Sequence, residues 1–314
     1  MFVIKYKKIF VLISTVLVVF SFASIAIFGL KFGIDFKGGA LMEVSYKTAR
    51  PEQTVIEKEI ASLNVGQALI QPIGTDGYSI KTRSLTEAER GSMLTALGAD
   101  ATEKSFTSIG PSVGAELARK SIISFILVSL GIIFFIAFSF RKVSKPVSSW
   151  KFGLIAIATL IHDVMIPVGV FVFLSKTFGT EVDTLFVVAV LTILGLSVSD
   201  TIVVFDRIRE NIRVGHSKTF PETVGHSLEQ VYTRSIMTSL TVILVLLSLA
   251  IFGPASTRTF AIMLTAGMFF GTYSSIFLAS PLLVMWNNLQ KKKFANIDKL
   301  VPLYLYPEDC QVQK

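Results

Sequence analysis

Residues 183–205 read DTLFVVAVLTILGLSVSDTIVVF. A bilayer's hydrocarbon core takes about 20 consecutive apolar residues as a helix. This run supplies them, and past Asp183 at its first position it holds one carboxylate inside the span, Asp200. A charge at the centre of a span costs about 2.5–3.5 kcal/mol on insertion scales, so Asp200 needs a reason to be there. The stretch reads as a membrane helix built around an ionisable group.

Five further runs have the same character, at about 9–30, 119–140, 152–174, 236–253 and 260–286. Of the 314 residues, 52% are hydrophobic and only 17% charged, whereas a soluble chain is about a quarter charged. The formal net charge of +8 would point to nucleic acid on a soluble protein. Here the basic residues gather at the ends of apolar runs, where they set orientation, and no nucleic-acid partner is expected. Lys5, Lys7 and Lys8 precede the first run; Arg141, Lys142, Lys145 and Lys151 follow the second; Arg207, Arg209, Arg213, Lys218 and Arg234 follow the fourth; Lys291, Lys292 and Lys293 follow the sixth. The two short opposite loops carry only Lys176 and Arg258. The rule that basic loops stay inside therefore puts both termini in the cytoplasm, residues 31–118 outside, and the chain in the cytoplasmic (inner) membrane. The first run is too long for a signal peptide, and Gly29–Gly33 is a poor cleavage site. Residues 1–30 are thus expected to keep their helix. Cys310 is the only cysteine, so no intrachain disulfide or cysteine-built metal cluster forms.

The outer segment has its own pattern. Leu41–Tyr46 alternates apolar and polar as a half-buried strand does. Pro51 opens a helix to about Leu63. Ala68–Ile73 and Tyr78–Arg83 flank Gly74-Thr75-Asp76-Gly77, a hairpin turn. Thr86-Glu87-Ala88-Glu89 has the spacing of a capping box and starts a helix to about Leu97; Thr102–Ile109 is a last strand. The order βαββαβ is that of the split βαβ, ferredoxin-like fold. The expected architecture is a mainly α membrane protein of six transmembrane helices with one small ferredoxin-like α/β extracytoplasmic domain at 31–118. Helices two to six occupy 119–290 and a cytoplasmic tail 291–314. A cytoplasmic loop at about 206–235 is expected to hold short interfacial helices, its second part starting at Thr219-Phe220-Pro221-Glu222 and presenting Val224, Leu228 and Val231 on one face.

Three charges in or beside spans are candidates for chemistry. Asp200 sits among small and hydroxylated neighbours, Gly195, Ser197, Ser199 and Thr201, which allow close helix approach and hydrogen bonding. It reads either as a protonatable carboxylate or as a helix-end Asp reaching the interface. Asp163 lies mid-span beside His162, and Pro167 removes the hydrogen bond to its carbonyl. It is a second protonation site or a structural Asp satisfied by hydroxyls. Arg234 opens the fifth run, with Thr238, Thr241 and Ser248 on its face; it is a counter-ion to Asp200 or an interfacial Arg. His216 and His226 read as solvated loop residues, and Gly267 with Gly271 as a GxxxG packing face. No phosphate-cradling loop, nucleophile elbow or HExxH motif is present, so neither a cofactor nor an enzymatic activity is expected.

These residues recur in a familiar order. Phe32-Gly33-Ile34-Asp35-Phe36-Lys37-Gly38-Gly39 after the first run resembles the signature of the SecD/SecF family of the bacterial protein-export machinery. Ile109-Gly110-Pro111-Ser112-Val113-Gly114 is similar to its second landmark. His162-Asp163, Ser199-Asp200 with Asp206-Arg207-Ile208-Arg209-Glu210-Asn211, and Arg234 complete the match across essentially the whole chain. The short outer domain is similar to the SecF branch rather than to SecD. The resemblance implies membership of the proton-driven resistance-nodulation-division superfamily. It implies SecD, the SecYEG channel and YajC as partners, unfolded exported proteins as cargo, and use of the proton-motive force after the SecA ATPase has acted. It assigns Asp200 and Arg234 to the proton pathway. A small-molecule or lipid exporter of the same superfamily and a passive scaffold subunit are the alternative classes.

Overall fold

A computed structural model describes residues 2–139, 149–215, 217 and 219–289. The basic residues Arg141, Lys142, Lys145, Lys218 and Lys291–Lys293 lie outside the described residues, as do His216, Cys310 and the tail 291–314. Among the described residues, six helices are long and apolar enough to cross a membrane: Lys7–Phe28, Pro111–Ser139, Trp150–Lys176, Thr184–Val214, Phe220–Phe252 and Ser256–Leu289. They are the first to sixth membrane helices below, and they make this a multi-pass membrane protein. The chain divides into two compact units, one holding Gly29–Val128 with Leu174–Val188, the other most of the membrane helices.

In the first unit, strands β1 (Gly39–Tyr46), β2 (Leu69–Ile73), β3 (Gly77–Thr82) and β4 (Ala101–Ile109) form one sheet in the order β2-β3-β1-β4. Every neighbouring pair is antiparallel. Helices Gln53–Ala61 and Glu87–Ala96 make the crossovers, giving the ferredoxin-like topology. Side chains alternate across a strand. Ala40, Met42, Val44 and Tyr46 therefore point one way and are buried with Ile80, Ile56, Ile60 and Met93. The register Met42↔Ile80 and Val44↔Tyr78 places these core residues opposite one another. Thr86 caps the helix Glu87–Ala96 through the reciprocal box with Glu89.

In the second unit the apolar core includes Phe152, Val204, Phe205, Ile208, Val224, Leu228, Ile276, Leu283 and Val284. Here the structure corrects the expected loop at 206–235. The fourth helix runs on to Val214 and the fifth begins at Phe220, so among the described residues 206–214 and 220–235 belong to these two long helices rather than to separate interfacial ones. Phe205, Ile208 and Ile212 continue the apolar stripe at helical spacing and pack with Val224, Leu228 and Val231. The charges of Asp206–Arg213 mark a change of helix face rather than a helix end. Thr219 and Glu222 do form the expected capping box. The second helix likewise starts early, at Pro111, with Pro in the first position it tolerates. Lys151, read as a loop residue, is buried in the third helix.

Candidate functional site: two carboxylates in the helix bundle

Glycine and serine set the distances in the bundle. A Cβ on Gly267 would lie 2.3 Å from Ile193 Cγ1, so the missing side chain is what lets Ile193 of the fourth helix pack against the sixth. The expected packing role of Gly267 and Gly271 is met: a Cβ at Gly271 would sit 3.6 Å from Ser197 Cβ. Past these glycines come Ser274 and Ser275.

Asp163 is fully enclosed, at 0% exposure. Its Oδ1 lies 2.7 Å from His162 Nδ1, and its Oδ2 accepts from Ser274 Oγ at 2.6 Å and from Ser197 Oγ. A carboxylate only accepts, so an ionised Asp163 fixes the His162 proton on Nδ1. His162 Nε2 is buried without a partner among the described residues, and its ring stacks on Tyr273 at 6.5 Å. Asp200 is only partly enclosed. Ser235 Oγ donates to its Oδ1 at 2.8 Å, and Ser275 Oγ donates to its Oδ2. All of its side-chain donors in the described residues are neutral hydroxyls. Ser239 of the fifth helix also bonds Thr272 of the sixth, which holds the pair that supplies Ser235 and Ser275.

A second cluster lies in the other unit. Gly33 and Val182 join the chain after the first helix to the loop before the fourth. Gly33 N donates to Val182 O at 2.9 Å, and Val182 N to Lys31 O at 2.7 Å. Asp35 Oδ2 accepts from Thr184 N at 2.8 Å and Thr184 Oγ1 at 2.7 Å, so it caps the fourth helix from outside that helix. Asp183 beside it bonds Phe186 N at 2.7 Å; burial, more than the neighbouring Asp35, pushes its carboxyl above the usual range. Phe36 packs edge-on to Phe32. Gly38 has φ +79°, and a Cβ there would meet Pro111 Cα at 2.8 Å; a Cβ on Gly114 would meet Gly38 N at 2.9 Å. The stretches 32–39 and 109–114 are thus one packed junction: Gly39 opens β1, while Gly110 and Pro111 close β4 and start the second helix.

Comparison with known proteins covers both stretches and the helices beyond them. A family model described as "SecD/SecF GG Motif" matches residues 23–49. One described as "Protein export membrane protein SecD/SecF, C-terminal" matches residues 89–289. The chain belongs to the SecD/SecF family. A "Protein translocase subunit SecF" of Thermobaculum terrenum is 40% identical over 302 residues, covering 91% of this chain and 94% of that one. The protein of the same description from Anaerolinea thermophila is 34% identical, covering 90% and 92%. The "Protein translocase subunit SecDF" of Bacillus subtilis is 33% identical over 91% of this chain but only 38% of its own length. The crystal structure of SecDF, a translocon-associated membrane protein from Thermus thermophilus, superposes with a TM-score of 0.78 at 29% identity, and this chain spans 38% of it.

Within this SecD/SecF-family fold, the residues expected to act divide. Asp163, His162 and Asp200 converge on the sixth helix. Arg234 does not join them: it is exposed on the fifth helix and makes no ion pair among the described residues. One residue on, about 100° around the helix, Ser235 takes the inward place. The buried stripe is Ser235, Ser239, Leu246 and Ala250, whereas Thr238, Thr241 and Ser248 are exposed. The family signature residue Arg207 bonds Gln230 and Glu210, each at 2.5 Å. Asn211 bonds Ser227 and Gln230 at 2.8 Å, tying the fourth helix's extension to the fifth. Asp206 is exposed. His226 meets Gln230 at 2.9 Å. Sequence reasoning misses Ser235, Ser274 and Ser275.

Proposed function

We propose that this chain is the SecF-type subunit of a Sec translocase and that, with a SecD-type partner, it uses the proton-motive force to promote protein export. The observation that carries the reading is Asp200. It is a carboxylate in the middle of a membrane helix, partly enclosed and held by serine hydroxyls alone. Neutral donors hold either protonation state, whereas a fixed cation would lock the anion. One proton moving down 100 mV yields about 2.3 kcal/mol. Taking up and releasing that proton at Asp200 supplies a charge change that biases a two-state element. Asp163, sealed and bonded to Ser274 beside Ser275, is the second carboxylate of this reading, and Arg234, exposed on the fifth helix, is its cation.

The translocase role is supported by the relatives described as translocase subunits. The SecD partner is supported by relatives in which this chain matches only 38% of a single SecDF polypeptide. SecYEG and YajC as further partners, unfolded precursors as cargo, and cytoplasmic termini rest on the family resemblance and the placement of basic residues. The test is proton flux into liposomes holding the chain with its SecD-type partner. Wild type should acidify the lumen under an imposed potential, and Asp200→Asn should not. Equal flux from both proteins would replace the proton reading with that of a scaffold subunit.

A further inference from the structure

We infer that the serine pair Ser274–Ser275, with the π-turn that Ser275 opens, reads the charge of Asp200 and passes it to the end of the sixth helix. The inference rests on the proton-carrier reading of Asp200.

Two neighbours in sequence hold carboxylates on two different helices. Ser274 bonds Asp163 on the third, and Ser275 bonds Asp200 on the fourth. The two ends are unequal. Asp163 is sealed and has three side-chain partners from three helices: His162 on its own, Ser197 on the fourth, Ser274 on the sixth. Asp200 has two hydroxyl donors and is reachable. Ser274 is therefore pinned and Ser275 is bonded to the group that changes. Of the other ionisable groups, His162 and Asp163 are paired with each other, and Arg234 is exposed on the fifth helix.

The residue that holds Asp200 is also the first of a π-helical turn, Ser275–Ala279. A π-turn accommodates one residue more than the α-helix around it. Closing it to α rotates the remainder of the sixth helix by about 100°. That remainder is core: Ser280, Leu283 and Val284 are each 0% exposed. Beside the turn, Phe277 lines an open pocket of about 320 Å³ with Phe2, Leu228 and Tyr232. The physical step is small. A hydroxyl bond to an ionised carboxylate is roughly twice as strong as one to a neutral group. When a proton from water adds to Asp200, Ser275 loses that advantage while Ser274 stays fixed. The π-turn is then free to repack, and it is recaptured when the proton leaves to water.

Amide hydrogen exchange on the full chain with its SecD-type partner in nanodiscs tests this, since exchange reports local opening. Asp200→Asn and Ser275→Ala should each speed exchange of the amides at 279–284 by roughly tenfold, the equivalent of about 1.4 kcal/mol of protection. The double variant should go no further than either single, Ser275→Thr should match wild type, and first-helix amides should not change. Wild-type exchange at 279–284 in Asp200→Asn, or a double variant that multiplies the two effects, overturns the inference. Failure here is separable from failure of the proton reading. If Asp200→Asn loses uncoupler-sensitive export yet keeps wild-type exchange, the serine relay falls and the carrier stands. If it exports normally with full uncoupler response, the carrier itself falls.

Discussion

Asp163 and Asp200 are the same side chain in two different situations. Asp163 has three side-chain partners around a sealed carboxylate. Removing it leaves buried donors unmatched, at about 1–3 kcal/mol each. Asp163→Ala should therefore melt well below wild type in detergent, as monitored by the fluorescence of Trp150 and Trp286, which pack edge-on at 5.4 Å. Asp200→Asn keeps shape and hydrogen-bonding capacity and should melt within a few degrees. Equal losses would mean that both carboxylates are structural. A smaller titration is written on the surface of the outer domain. Hydrogen bonds from Arg83 first, and from Thr86, hold Glu89 down at about 2, from an ordinary value of 4.5. A carboxyl whose folded pKa is depressed adds stability above its unfolded value and loses it as pH falls toward the folded one. Protection of the helix Glu87–Ala96 should thus weaken between about pH 4.5 and 2, and Glu89→Gln should remove that dependence. Asp163, His162 and Asp200 stand out in the sequence because charge inside a span is expensive. Serine is cheap in a membrane helix, so nothing in the sequence marks Ser235, Ser274 or Ser275. Ser235, one residue after Arg234 and about 100° around the helix, takes the buried place and escapes notice because a hydroxyl is less conspicuous than a cation.

The elements themselves are legible wherever a local signal ends them. Both capping boxes, at Thr86 and Thr219, form as their spacing predicts, and each of the four strands falls within two residues of its expected start. Charge used as a boundary misleads. Asp206–Arg213 looks like the end of a span, yet Ile208 and Ile212 keep the apolar stripe going and the helix continues. The π-turn at Ser275–Ala279 leaves no trace in composition. The signature stretch 32–39 is recognisable as a motif but not as a device. Its Asp35 caps the helix that begins at Thr184, from 149 residues away. Loss of a cap costs about 0.5–2 kcal/mol. Asp35→Ala should accordingly speed exchange of the amides at 184–188, while Asp35→Asn, which keeps an acceptor, should do so far less. If both behave as wild type, the cap carries no weight.

At the level of the assembled protein, the exposed stripe of Arg234, Thr238, Thr241 and Ser248 is poorly suited to lipid, although Thr241 Oγ1 returns to Thr238 O at 2.8 Å. A SecD-type helix is its expected cover. With Cys310 replaced, a cysteine at Thr241 should crosslink to that partner, whereas one at Ser239, buried against Thr272, should not. Orientation is checked separately: an alkaline phosphatase fusion at Ser84 should be active, and an inactive one would reverse the topology. The proton-driven role is decided by measuring export of a reporter precursor in cells with matched protein levels, with and without an uncoupler. Wild type should export faster with the proton-motive force intact, and Asp200→Asn should export at the uncoupled rate under both conditions. Asp200→Glu, which titrates at a similar reference pKa, should recover part of the difference. If Asp200→Asn exports like wild type and still slows with the uncoupler, Asp200 does not carry the proton.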